Sequence, residues 1–234
     1  MTRHELKEQL QHDQFTDVVS GAVGYAQSHR EQVIRWAIIA LAVLVIGGAL
    51  FWYSAYRRSV REKDLQAAFA VLETPIGPAN PSGGKSFATD QDKKQASMKA
   101  LSDVVAKDGG SREGLLAQYY RGTLRAQSGD ARGAIADLDA VAGSSNPCAP
   151  LAKIALAELY AGQNRISDAQ NLLRGMVDHP ADLVSKEQAQ IMLARLDETA
   201  NPQEAKKILQ SLKTPTEDPA VRRAADELSS QLTK

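Results

Sequence analysis

The sequence predicts an all-α protein, with a single N-terminal transmembrane helix followed by a solenoid of paired helices. Three observations predict it. Residues 36–56 form an apolar run without one charge. Three later stretches repeat one another at offsets of 35 and 37 residues. The composition is rich in Ala and Leu and only 5% aromatic, which suits close-packed helices better than a sheet.

Charge and cysteine content remove several functional classes. Lys and Arg number 28 and Asp and Glu 28, and the balance persists after the apolar run. Such a chain offers no general field for nucleic acid. The single cysteine, Cys148, cannot make an internal disulfide. The four histidines, His4, His12, His29 and His179, form no metal-ligand cluster, and no cofactor is expected.

Residues 1–34 read as an amphipathic arm. Thr2, Arg3, His4 and Glu5 have the T-x-x-E form of a capping box. Leu6 and Leu10, then Val18, Ala22 and Ala26, follow at spacings of four. Such a helix either lies on the membrane surface, touches a membrane partner, or extends the anchor as a solvated helix.

Residues 35–57 read as the membrane span. About 20 apolar residues cross a hydrocarbon core of roughly 30 Å. Arg35 closes one end, and Arg57, Arg58 and Arg61 the other. Trp36 marks one edge, and Trp52, Tyr53 and Tyr56 the other, as in an aromatic belt. The preceding flank is long, the run exceeds a signal-peptide core, and the only candidate cleavage sites have Trp52 or Tyr53 at their −3 place. An uncleaved anchor is therefore expected. Close to the span the C-terminal side carries more positive charge (Arg57, Arg58, Arg61 and Lys63 against Arg30 and Arg35), which by itself places that side in the cytoplasm. Adding Arg3 and Lys7 evens the tally.

Residues 58–234 read as the repeat domain. Ile154, Ala157 and Leu159 match Ile191, Ala194 and Leu196, and more weakly Tyr119, Gly122 and Leu124. Each stretch is followed by a polar turn, at Gly129-Asp130, Gln163-Asn164 and Asn201-Pro202. Second helices then align on Ala134, Ala169 and Ala205, with Leu138, Leu173 and Leu209 four residues on. Val141, Met176 and Leu212 follow three later and complete one helical face. The small residues Gly122, Ala157 and Ala194 let the partner helix approach, and Ala134, Ala169 and Ala205 do the same from the other side. A hairpin of this size cannot bury its apolar face alone, so neighbours must stack.

Upstream, residues 65–72 and 96–104 read as a fourth, degenerate hairpin with a long turn rich in proline and glycine. Downstream, Asp218 and Pro219 start a last helix through Leu232. Val221, Ala225, Leu228 and Leu232 lie on one side of it and charges on the other, as a terminal cap requires.

This pattern resembles a tetratricopeptide repeat, with divergences. The usual aromatic near the hairpin start is replaced by Gln118, Lys153 and Gln190. Tyr160 holds the tyrosine place, where Arg125 and Asp197 depart from it. The resemblance implies a concave face made by the first helix of each pair, with Tyr119, Thr123, Ile154, Glu158, Ile191 and Arg195 as the expected partner-binding groove. The whole layout, a short arm, one anchor and a helical-repeat domain, resembles the YfgM-like family of ancillary translocon subunits. That resemblance implies a scaffold without catalytic activity at the bacterial inner (cytoplasmic) membrane. Its repeat domain would be periplasmic and would meet the secretion channel or envelope chaperones. The alternative is a structural organiser of an envelope or division complex. A remoter one rests on residues 79–86, which fit a relaxed Walker A pattern. A working phosphate loop needs a strand before it and a helix after it, so a hairpin turn is expected there instead.

Overall fold

The computed structural model describes residues 30–77, 85–213 and 218–232. Among the described residues there are nine α-helices and no strand: α1 (Arg30–Glu73), α2 (Asp90–Asp108), α3 (Arg112–Gln127), α4 (Ala131–Ala142), α5 (Ala149–Gly162), α6 (Ile166–Asp178), α7 (Lys186–Ala200), α8 (Pro202–Lys213) and α9 (Pro219–Gln231). The capping box at 2–5 and the apolar positions of the arm up to Ala26 lie outside the described residues, as do residues 79–84 of the Walker-like stretch. The chain divides after Ser59 into two compact units.

In the first unit, α1 carries the apolar run. The helix is long and apolar enough to cross a membrane, and its most apolar window is wholly unburied, with mean hydropathy 2.3. Leu44, Phe51 and Trp52 are 72%, 77% and 75% exposed. Trp52 and Tyr56 stack with their ring centroids 6.5 Å apart.

The second unit begins with the end of α1. Leu65 and Ala68 are buried, and with Phe69 and Leu72 they pack against Leu101 and Val104 of α2 and Ala117 of α3. The expected residues 65–72 are thus helical, but they are the last turns of α1 and not a separate element. From Ala49 to Thr74 the chain has neither glycine nor proline, so nothing breaks the helix until Pro75. Arg61 bonds Glu113 at 3.2 Å, and Lys107 bonds Asp64 at 3.2 Å, tying this end to α3 and α2. Beyond Pro75 the feet of the long turn are pinched by two backbone bonds, Gly77 N–H to Phe87 O at 3.0 Å and Phe87 N–H to Pro75 O at 2.9 Å. What precedes the Walker-like stretch is therefore a helix and a single bridge.

From α2 to α9 every helix packs on the next in chain order. The turns explain the reversals. Gly129 (φ 82°) and Asn164 (φ 61°) take the left-handed conformation that ends α3 and α5. Asn201 alone joins α7 to α8, with Pro202 as the first helical residue. Thr89, Ser111, Asp130 and Asp218 cap α2, α3, α4 and α9 with their side chains. Ser185 and Gln188 form a reciprocal capping box on α7.

The core is a series of clusters between successive helices. Leu138 and Val141 of α4 meet Ala152 and Leu156 of α5. Ala157, Ala169 and Leu173 meet Leu193. Ala194, Leu209 and Leu212 meet Val221, Ala225 and Leu228 of α9. Gly122, Ala134, Leu138, Ala157, Ala169, Leu173, Ala194, Ala205 and Leu209 are all buried. At Gly122 the clearance is quantitative: a Cβ would meet Leu138 Cγ at 2.8 Å and Asp137 Cβ at 3.2 Å.

Candidate partner-binding groove

The first helix of each pair, α3, α5 and α7, turns its small residues toward its own second helix. The residues three positions before and one position after them therefore emerge on another side of the helix. Those positions are Tyr119 and Thr123 on α3, Ile154 and Glu158 on α5, and Ile191 and Arg195 on α7. All six line three adjoining cavities.

The largest cavity, about 520 Å³, lies between α3 and α5 and includes Tyr119, Thr123, Ile154 and Glu158. A second, about 380 Å³, lies between α5, α7 and α9, and includes Leu151, Ile154, Ile191 and Val221. The third, about 210 Å³, is lined by Ala157, Glu158, Ala161, Leu173, Met192, Arg195 and Leu196. Ile154 is common to the first two, Glu158 to the first and third, and Met192 to the second and third, so each cavity adjoins the other two at a shared side chain. Part of the second cavity's wall comes from α9 and from the turn at Leu183 and Val184. The sequence reading did not include those residues, because their place depends on how the chain returns after α6 and α8.

The six residues make two rows one helical turn apart, about 6 Å. Tyr119, Ile154 and Ile191 form an apolar row, each half-buried. Thr123, Glu158 and Arg195 form a polar row, with Glu158 and Arg195 exposed. Burial pushes the Tyr119 phenol up from its ordinary value, with smaller contributions from Tyr120, Cys148 and Glu158. Thr123 turns its hydroxyl to its own backbone, donating to Tyr120 O at 2.8 Å. Among the described residues no ion pair joins Glu158 to Arg195, although both line the smallest cavity.

Behind the first hairpin sits a polar network that the sequence reading missed. Asp137 of α4 is buried and accepts from Arg121 Nε at 2.8 Å, Arg125 Nη1 at 2.9 Å and Gln118 Nε2 at 3.3 Å. Asp137 occupies the core face of α4 beside Ala134, Leu138 and Val141, so a charge among core positions was the available signal. The tyrosine place of the repeat is used differently in each hairpin. Arg125 serves Asp137, Tyr160 lies under the Arg165 guanidinium at 4.0 Å, and Asp197 is fully buried and accepts from Gln170 of α6.

Cys148 is buried at the start of α5, and its thiol donates to Asn146 Oδ1 at 2.9 Å. Burial holds the thiol above its ordinary pKa. Among the described residues no group of histidine, cysteine and carboxylate side chains is placed to hold a metal ion.

The chain is similar over part of its length to two solved structures from Podosopora anserina, described as kinesin light chain nearly identical TPR-like repeats and a singly substituted form of the same. They are 19% and 18% identical, each with a TM-score of 0.48, covering 74% of this chain and 92% of theirs. No curated protein matches the chain. The family model described as the tetratricopeptide repeat-like domain matches residues 33–183, more than half of the sequence. With successive helix pairs that close over small residues, the chain belongs to the tetratricopeptide repeat-like domain family.

Proposed function

We propose that this protein is a membrane-anchored scaffold that docks another protein in the groove across α3, α5 and α7. The observation that carries the reading is the convergence of six repeat-equivalent side chains on three adjoining cavities. A mostly apolar concavity with a few polar groups suits recognition by shape and scattered polar contacts, with no cofactor and no covalent step. Family membership supports protein partners. The unburied apolar window of α1 supports an anchor.

The location and partner rest on the resemblance of the layout to YfgM-like ancillary translocon subunits. On that basis the anchor sits in a bacterial inner membrane and the repeat domain faces the periplasm. There it holds a translocation factor or envelope chaperone near the secretion channel. The test is affinity purification of the intact protein beside an Ile154→Asp, Ile191→Asp double variant. Recovery of channel subunits or chaperones with the natural sequence, and their loss with the double variant, is expected. Recovery of cell-wall factors in their place would favour an organiser of an envelope or division complex. Equal recovery by both proteins would remove the groove from the account.

A further inference from the structure

We infer that the groove takes an amphipathic α-helix of its partner, and that the polar row reads the order of two opposite charges along that helix. This rests on the docking reading above and adds the chemistry of the occupant.

The two rows give the groove a polarity across its width, apolar along Tyr119, Ile154 and Ile191 and polar along Thr123, Glu158 and Arg195. An occupant lying along the stack therefore needs an apolar stripe with a charged edge, which is the surface of an amphipathic helix. Among the described residues there is no strand to extend, so recognition by strand addition has no edge to use.

The charge sequence along the polar row is neutral, negative, positive. Complementarity asks for a basic residue opposite Glu158 and an acidic one opposite Arg195. Glu158 and Arg195 line one cavity of about 210 Å³, so the charges that face them on the occupant lie within about two turns, or seven residues, of an α-helix. The matching helix carries its base and acid about two turns apart on one flank of the stripe. Turning such a helix end for end moves its charged flank over the apolar row, so direction and charge order are read together.

Arg195 is the one cation among the described residues that line the three cavities. Arg121 and Arg125 on α3 are held by Asp137 at 2.8 and 2.9 Å. Among the described residues that line the groove there is therefore no cluster of cations to grip a chain-terminal carboxylate, and the groove favours an internal helix.

The test uses the full chain in detergent and two fluorescent helical peptides on a Leu/Ala background. In one, Lys precedes Glu by seven residues on one flank of the stripe; in the other the two are exchanged. Empty micelles give the blank. Fluorescence anisotropy should show one order binding about fivefold more tightly than the other, the scale of an exposed ion pair. The Glu158→Lys, Arg195→Glu double variant should reverse the preference. Equal binding of both peptides, or a preference that the double variant leaves unreversed, overturns the charge-order inference and leaves the groove standing. No binding of either peptide overturns the groove reading with it.

Discussion

Gly122 and Asp137 show how much of this fold rests on single atoms. A Cβ at residue 122 would press on Leu138 and Asp137 at 2.8 and 3.2 Å, so the first hairpin closes only over a hydrogen. Gly122→Leu should destabilise the chain by about 1–3 kcal/mol, as overpacking does, and denaturant unfolding followed by circular dichroism measures it. The need for a small residue there was legible from its alignment with Ala157 and Ala194. Asp137 was legible as a charge on the core face of α4, but its partners were not. Exposed-looking arginines on α3 give no sign in sequence of folding back onto it. Asp137→Ala removes the acceptor of two guanidinium groups. It should cost about 2 kcal/mol, less than a fully buried pair, because Arg121 and Arg125 keep some access to water. At Cys148 the raised pKa keeps the thiol protonated near neutral pH, which slows its reaction with thiol reagents. Native protein should resist labelling at pH 7.5 and unfolded protein should label at once. Fast native labelling would contradict the buried placement.

At the scale of elements, the helices and turns were mostly written locally. Gly129, Asn164 and the Asn201-Pro202 pair sit at the reversals because left-handed backbone and proline's fixed φ are properties of single residues. What was less legible was continuity. The boundary drawn near residue 58 lies beside the division of the chain after Ser59, but the helix follows the lack of a breaker and runs on to Glu73. The close turn from α2 to α3 was also hidden, since it depends on Gly114, where a Cβ would strike Asp108 O. The last helix, α9, covers Leu209 and Leu212 through Val221, Ala225 and Leu228. Leu228→Asp should loosen α8 and α9 while α3 and α4 keep their protection, because stability in a stack is largely a nearest-neighbour property. Amide hydrogen exchange resolved by helix checks this, and a uniform loss over all helices would contradict it.

At the scale of the whole molecule, stacking and burial were legible, because small residues recurring at matching places have one economical use. The far wall of the groove was not, since α9 and the Leu183–Val184 turn reach it through tertiary return and carry no repeat signal. The identity of the partner lies further from the sequence still, because the groove offers shape and two charges and no chemical group unique to one ligand. The proposed anchor predicts that the full chain stays with membranes through alkaline carbonate extraction, and its release would contradict membrane insertion. The most direct measurement of the central claim is site-specific photocrosslinking in living cells, with a benzophenone side chain placed at Ile154 in the groove or at exposed Arg174 on α6. The account predicts a discrete protein adduct from position 154 and none from position 174. Adducts from position 174 alone, or the same adduct from both, would contradict it.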